Sequence, residues 1–313
     1  MITLIQMEYA VAVDTYRNFA KAAEKCFVTQ PTLSMQLKKM EEELEVILFD
    51  RSKQPVIPTE AGKEIIEQAR LVLQEAKKIH RLAKEVKNKL SGELRIGIIP
   101  TIAPYLLPLF AGHYKQNYPE VHMKVEELIT ERIEEKLQKD QLDVGILVTP
   151  LHNKAIIEQP LYYEEMLIYS NRSNPLIRKP VIQVKDIASP ELWLLSDGHC
   201  FRSQVINLCD LQELKSDQLP FDYAGGAIDT LIKIIDKEGG FTLIPELAGR
   251  ELKGERRKQL RHFSDKIPLR EVSLVYTRQF AKTKLVKSLA ESIQKAVPSF
   301  MLDASRGSLV EWR

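Results

Sequence analysis

FAKAAEKCFVTQPTLSMQLKKMEEELEVILFDR, residues 19–51, decides the reading of this chain. Phe19 to Lys25 carries the small, alanine-rich face that one helix needs to pack closely on another. Thr29 reads as the N-cap of a second helix, with Pro31 in its first turn. On that helix Leu33, Leu37 and Met40 recur at i, i+4 and i+7 and so point inward. The outward face then presents Gln30, Thr32, Ser34, Met35 and Lys38. Gln bonds the edge of adenine, Ser and Thr contact bases or phosphates, and Lys38 and Lys39 neutralise phosphate. Arg51 and Lys53, in the turn that follows, reach toward the backbone of a duplex. Two short helices, a tight turn and a basic wing describe a winged helix-turn-helix. Helix pairs with small residues are common and usually only pack, so alone this segment favours DNA binding modestly. Glu41, Glu42 and Glu43 confine the positive patch to the helix start and the wing.

Outward from this segment, Thr59 or Glu60 caps a long helical pattern with no Pro or Gly from Lys63 to Leu90. Its apolar positions are Ile65, Ala69, Val72, Ala76, Ile79, Ala83, Val86 and Leu90. Their alternating steps of four and three are those of a coiled-coil seam, which predicts a dimerisation helix. A single helix lying on a domain would also be apolar on one face. After Ser91-Gly92 the texture changes to strands alternating with helices: ELRIGIIP, APYLLPLFAGHYKQNYP, VHMKVEEL, TERIEEKLQKDQ and LDVGILVTP. That alternation predicts a parallel sheet covered on both faces. LYYEEMLIYSNRSNP disturbs it and reads as strands crossing between lobes. The pattern resumes with a strand in ELWLLSDG, then a helical FRSQVINLC, and runs on through FTLIP and LREVSLVYT to a final helix.

The chain has 313 residues, enough for two or three domains of roughly 150 residues each. Lys+Arg 45 against Asp+Glu 43 leaves a net charge of +2, so any DNA-binding surface is a local patch. No apolar run approaches the ~18 residues of a membrane span. The N-terminal MITLIQMEYAVAVDTYRNF lacks a basic lead-in and carries Glu8 and Asp14, unlike a signal peptide. A cytoplasmic protein is expected, and there three cysteines do not make a structural disulfide framework.

The run AAEKCFVTQPTLSMQLKKMEEELEVILFDR, followed by PTEAG and a long helix, resembles the DNA-binding half of the LysR family of bacterial transcriptional regulators. The resemblance implies a winged helix-turn-helix over 1–59 and a linker helix over 60–90. It further implies a two-lobed α/β effector domain over 91–300, resembling type II periplasmic binding proteins, and a tail over 301–313. It also implies homodimers and homotetramers on double-stranded promoter DNA, with RNA polymerase as a further partner. Two departures stand out: Cys26 replaces a usual leucine, which keeps a core position, and Met35 replaces a frequent arginine. Operator preference therefore does not carry over.

Cys26, beside Ala22 and Ala23, reads as a buried, inert thiol. Cys200 and Cys209 differ. They lie in LLSDGHCFRSQVINLCD after a strand and an Asp197-Gly198 turn, with His199 and Arg202 flanking Cys200 at a helix start. Each neighbour favours thiolate, the reactive form. Two unrelated buried cysteines in an amphipathic helix is the competing reading. If the segment is helical, nine steps at ~1.5 Å place the two cysteines roughly 13 Å apart along the axis. A disulfide needs Cα atoms within ~7 Å, so the pair joins only if the helix unwinds. Oxidation would then refold the segment, as a redox switch requires.

DGHCFR with a second cysteine further on, and IPTIAPYLLP after the linker, resemble the peroxide-sensing members of the LysR family along essentially the whole chain. That resemblance implies Cys200 as the peroxidatic and Cys209 as the resolving cysteine. It places Thr101, Thr130, His199 and Arg270 around the peroxide, with hydrogen peroxide as signal and a cellular thiol as reductant. Ser203 stands where an acidic residue often follows the arginine. Singly, Thr101 could cap a helix, Arg270 could form a surface ion pair and His199 could sit in a turn. Joint placement with Cys200 is what lifts them.

The sequence has no CxxC, HxxxH, GxGxxG or P-loop, so neither a metal nor a nucleotide cofactor is expected. Ser196, Asp197 and His199 crowd one turn and make a poor hydrolase triad. Besides the peroxide-sensing regulator, two readings stay open: a LysR-type regulator gated by a metabolite between its lobes, and a thiol peroxidase. The DNA-binding half argues against an enzyme.

Overall fold

The computed structural model describes residues 1–85, 90–179, 182–196, 198–209, 223, 225–277 and 282–312. The chain divides into two compact units that part between the linker helix and the first strand of the effector region. The expected end of the linker helix at 86–89 and the turn residue Asp197 lie outside the described residues.

The first unit holds helices α1 (Leu4–Tyr16), α2 (Phe19–Lys25), α3 (Gln30–Leu44) and α4 (Glu60–Glu85), with a hairpin of β1 (Phe49–Asp50) and β2 (Ile57–Pro58). Local chemistry sets each boundary. Thr3 and Gln6 cap α1 reciprocally, and the Asn18 carboxamide oxygen accepts the Lys21 N–H at the start of α2. Thr29 caps α3 by accepting the Thr32 N–H at 3.4 Å, and Thr59 caps α4 by accepting the Gly62 N–H at 2.9 Å. Ala22 and Ala23 are buried against Leu33, Leu37 and Met40, so the small face of α2 seats α3 as expected. The α4 helix buries Ile66, Ala69 and Leu73, and α1 packs along it. Val72 and Ala76, on the predicted seam, are only partly covered, and Ile79 is exposed. One apolar face is thus consumed within the unit and a neighbouring one is left over.

The turn between α2 and α3 contains an energetic oddity. Val28 N–H bonds to Ala23 O and Phe27 N–H to Glu24 O, the paired bonds of a Schellman ending. Phe27 therefore sits at φ +56°, where Gly or Asn is preferred, and its side chain is 96% exposed.

The second unit is built on a sheet of order β4-β3-β5-β9-β6-β7. Its elements are β3 (Gly92–Ile98), α5 (Ala103–Asn117), β4 (Val121–Glu127), α6 (Thr130–Gln138), β5 (Val144–Thr149) and β6 (Ile156–Ser170). There follow α7 (Cys200–Cys209), α8 (Ile228–Glu238), β7 (Phe241–Pro245), α9 (Glu246–Glu251), α10 (Gly254–Arg257) and β8 (Leu260–Arg261). The chain closes with β9 (Pro268–Thr277), α11 (Thr283–Ala296) and β10 (Ser308–Leu309). The expected parallel pairing holds for β3 with β4 and β5, and every residue of β5 is buried. The β5–β9, β9–β6 and β6–β7 pairs are antiparallel, because β6 and β9 are the long strands that cross the unit in opposite directions. These are the crossing strands that the disturbed LYYEEMLIYS pattern signalled.

The ELWLLSDG segment is a correction. Among its described residues it forms one bridge, Leu192 to Phe241, instead of a strand. Trp193 N–H reaches Phe241 O at 2.8 Å, but the Thr242 hydroxyl takes the Trp193 carbonyl at 2.7 Å and occupies the acceptor a ladder would use.

Two devices position the residues that matter later. Gly145 lets α6 lie close on the sheet, since a Cβ there would stand 2.5 Å from an Ile133 methyl and 2.8 Å from Val275. A bulge at Pro160–Tyr162 then shifts the β6–β9 register by one and sets Glu164 directly opposite Arg270. Continued without it, the earlier register would pair Arg270 with Tyr163, whose side chain lies on the other face.

Replacing Phe27 by Asn should stabilise the N-terminal unit by about 1 kcal/mol, because the left-handed strain is relieved and no packing is lost. Urea unfolding of that unit measures it, and an unchanged or lower midpoint would contradict this account of the turn.

Candidate functional site

The N-terminal unit presents the first group of expected residues. Thr29, Gln30, Pro31, Met35 and Lys38 are exposed, and Thr32 and Ser34 are half-buried. Thr29 is the cap of α3 and Gln30, Pro31 and Thr32 lie in its first turn, where backbone N–H groups and the helix dipole favour phosphate; Ser34, Met35 and Lys38 follow along the helix. Lys53 is exposed in the wing between β1 and β2. Arg51 is held more firmly: it pairs with Glu41 at 2.7 Å, donates to the Ser34 hydroxyl at 3.4 Å and stacks 5.2 Å from the Phe19 ring. It thereby ties the wing to α3. Glu41 also accepts the Leu48 N–H at 2.8 Å, so this carboxylate organises the start of the wing and adds little negative charge to the surface. Glu42 lies 3.6 Å from Lys38, and Glu43 pairs with the N-terminal ammonium at 2.6 Å.

The second group converges in the effector unit. Cys200 opens α7 and is 4% exposed. Thr101 lies in the turn between β3 and α5, Thr130 is the first residue of α6 and Arg270 the third of β9; all three are buried. Arg270 donates from Nη1 to the Thr101 hydroxyl and from Nη2 to the Thr101 carbonyl, both at 3.1 Å. Its guanidinium also stacks 5.1 Å from the ring of Phe201, the residue after the cysteine. The Thr130 hydroxyl is buried without a partner of hydrogen-bonding geometry, yet it lies near enough to the sulfur to favour the charged thiol.

The sequence missed the residue that fixes this arrangement. Glu164, wholly buried on β6, accepts from Arg270 Nε at 2.8 Å and lies 2.6 Å from its Nη2. The Leu247 N–H adds a 3.2 Å bond to its other oxygen. Burial pushes the Glu164 carboxyl up, while Arg270 and that N–H pull it down. Tyr162, two residues earlier on the same face, also buries a hydroxyl with no partner. The available signal was Glu164-Glu165, two adjacent carboxylates inside an apolar strand, where a charge persists only if paired.

The electrostatics differ from the expectation that His199 favours the thiolate. Burial holds the His199 imidazole below its ordinary pKa, so the ring is neutral at pH 7; it packs against Gly226. Arg202 donates to the Leu195 carbonyl at 3.1 Å. Arg270, from another strand, is a cation that favours the charged form of the sulfur. Burial pushes the Cys200 thiol up, and Arg270, the Thr130 hydroxyl and the Phe201 N–H oppose it. The helix-start effect is thus present, and desolvation outweighs it. Cys209 ends α7, with its side chain outside the described groups. Cys26 closes α2 half-buried, and burial raises its thiol pKa, in keeping with an inert residue.

Comparison with known proteins shows the family of the chain. The profile of the bacterial regulatory helix-turn-helix protein, lysR family, matches residues 4–63, and that of the LysR substrate binding domain matches residues 87–298. The chain belongs to the LysR family of DNA-binding transcriptional regulators. It is 34% identical over 291 residues to the DNA-binding transcriptional dual regulator OxyR of Escherichia coli, covering 92% of this chain and 93% of that one. It is 32% identical over 297 residues to the hydrogen peroxide-inducible genes activator of Haemophilus influenzae, covering 94% and 97%. Full-length OxyR from Pseudomonas aeruginosa, with a cysteine replaced by aspartate, superposes with a TM-score of 0.79 at 30% identity, covering 95% of this chain and 99% of that one. An H2O2-bound OxyR mutant from Corynebacterium glutamicum gives 0.61 at 27% identity, covering 95% and 92%. No described helix is long and apolar enough to cross a membrane.

Glu164→Gln should destabilise the effector unit by about 3–5 kcal/mol, because it leaves the Arg270 charge buried without its counter-ion. Urea unfolding checks this, and a change near zero would contradict an ionised pair.

Proposed function

We propose that this LysR-family regulator senses hydrogen peroxide through Cys200 and switches through a reversible Cys200–Cys209 disulfide, controlling oxidative-stress genes. The observation that carries the reading is the convergence of the Cys200 sulfur, the Thr130 hydroxyl and the Thr101-bound guanidinium of Arg270 in one buried place. Peroxide is small, neutral and able to donate and accept hydrogen bonds, so it suits buried hydroxyls that lack protein partners. The Cys200 thiol releases its proton, and the sulfur attacks one peroxide oxygen. The O–O bond breaks, and the hydroxide that leaves beside Arg270 takes up a proton to become water. Cys200 is then a sulfenic acid. Cys209 displaces its hydroxyl group as water and forms the disulfide, which a cellular thiol reductant reverses by exchange.

Within this reading residues 1–59 are the DNA-binding domain, 60–90 the linker helix, 91–300 the redox-sensing domain and 301–313 the tail. Thr29, Gln30, Pro31, Thr32, Ser34, Met35, Lys38, Arg51 and Lys53 face promoter DNA. The partly covered stripe of Val72, Ala76 and Ile79 pairs with a second copy to make the dimer from which a tetramer is built. The regulator acts in the cytoplasm, with RNA polymerase as the partner of its activating state. It reacts once per switching cycle and is not an enzyme. His199 flanks the peroxide pocket as a neutral donor or acceptor.

A brief, near-stoichiometric peroxide pulse followed by thiol trapping and peptide mass spectrometry tests this. The wild type should yield linked Cys200 and Cys209 peptides that a dithiol separates. Cys209→Ser should stop at an oxidised monothiol, and Cys200→Ser should lose the response. An equal response in wild type and Cys200→Ser would sink the reading. Free thiols throughout would shift attention to a metabolite-gated regulator.

A further inference from the structure

The last residues of the chain fasten the helix that carries the two cysteines. After a 3-10 turn at Ala304–Arg306, β10 runs parallel to β9, with Ser308 beside Pro268 and Leu309 beside Leu269. Ser308 N–H bonds to Ile267 O at 2.9 Å and Val310 N–H to Leu269 O at 2.8 Å, so the segment is fixed to the strand just before Arg270. Val310 and Trp312 are buried. The carbonyls of this extended segment then accept from α7: Gln204 Nε2 donates to Val310 O at 2.7 Å, and Asn207 Nδ2 to Glu311 O at 2.9 Å. Gln204 is wholly buried, and Asn207 is exposed.

Gln204 and Asn207 are three residues apart, hence on one face of α7, and both lie between Cys200 and Cys209. Joining cysteines that a helix holds roughly 13 Å apart requires the turns between them to unwind. Unwinding carries both carboxamides away from their carbonyls. The bonds therefore oppose closure of the disulfide while leaving the sulfur of Cys200 and its pocket as they are. We propose that Gln204 and Asn207, held by the Val310 and Glu311 carbonyls, are positioning residues that keep α7 helical and so set the rate of the resolving step, separately from peroxide attack on Cys200. This rests on the Cys200–Cys209 chemistry above. In that step the Cys209 thiolate attacks the sulfenic sulfur, the S–S bond forms as the S–O bond breaks, and hydroxide leaves to be protonated to water. The strap thereby fixes how long the sulfenic acid lasts.

The test uses the full-length protein with Gln204→Met, which keeps the buried volume, Asn207→Ala at its exposed position, and both together. A chain ending at Leu309 removes both acceptor carbonyls without altering α7 itself. Two rates are read after a peroxide pulse: sulfenic acid formation, trapped with dimedone in a Cys209→Ser background, and disulfide formation, followed by quenched alkylation. Sulfenic acid formation should stay within about twofold of wild type, while closure should quicken about fivefold for each substitution and roughly 25-fold for the pair, as hydrogen bonds of ordinary net strength predict. A purely structural role would lower the unfolding midpoint and leave the ratio of the two rates unchanged. Closure at or below the wild-type rate in the substituted and shortened chains overturns the proposal. Absence of any disulfide in the wild type is the separate result that removes the Cys200–Cys209 reading, and the strap with it.

Discussion

The ion pair between Arg270 and Glu164 is the contact on which the effector site depends. Both side chains are wholly buried, so neither charge has water to fall back on. Such a pair contributes little net stability, and a well-packed apolar pair would often serve the fold as well. Its value is positional. With Glu164 and Leu247 fixing one side, the guanidinium has its remaining donors aimed at Thr101 and its face on Phe201. A cation is thereby kept near a sulfur whose burial raises its thiol pKa, and it opposes that rise. The bulge in β6 is the backbone cause, because it alone makes the two residues cross-strand partners.

The two units use charge differently. In the N-terminal unit carboxylates are spent on organisation: Glu41 gathers Arg51 and the Leu48 N–H, so the wing is braced against α3 and the exposed face keeps the lysines. In the effector unit a carboxylate neutralises a buried cation and leaves it directional. Each arrangement follows from desolvation. Exposed pairs such as Lys38 with Glu42 are screened and cheap to break, whereas the buried pair is not.

Much of this was legible in the sequence for a physical reason. The α2–α3 pair, the caps at Thr29 and Thr59 and the alternation of strands with helices follow from local propensity and periodicity. Cys200 stood out from the residues around it, whereas Thr101, Thr130 and Arg270 came only through the resemblance to the peroxide-sensing members of the LysR family. Glu164 did not, because its partner is set by a one-residue shift in strand register that periodicity does not encode. The strap on α7 was hidden too, since Gln204 and Val310 are 106 residues apart and the acceptor is a backbone carbonyl, which every residue has. The thiol's environment was misread for a related reason. His199 is a neighbour in sequence but its ring is held neutral, while Arg270, a cation that favours the charged sulfur, arrives from another strand.

On the proposed function, the buried Arg270–Glu164 pair serves the chemistry of Cys200 more than the stability of the fold. The direct measurement is the rate of sulfenic acid formation on Cys200 in a Cys209→Ser background, with and without the double substitution Arg270→Met and Glu164→Gln. Removing both charges together should leave the unfolding midpoint close to that of the parent, while slowing oxidation by about tenfold or more, as loss of one charge-stabilising donor implies. A folded double variant that oxidises at the parental rate would contradict the account.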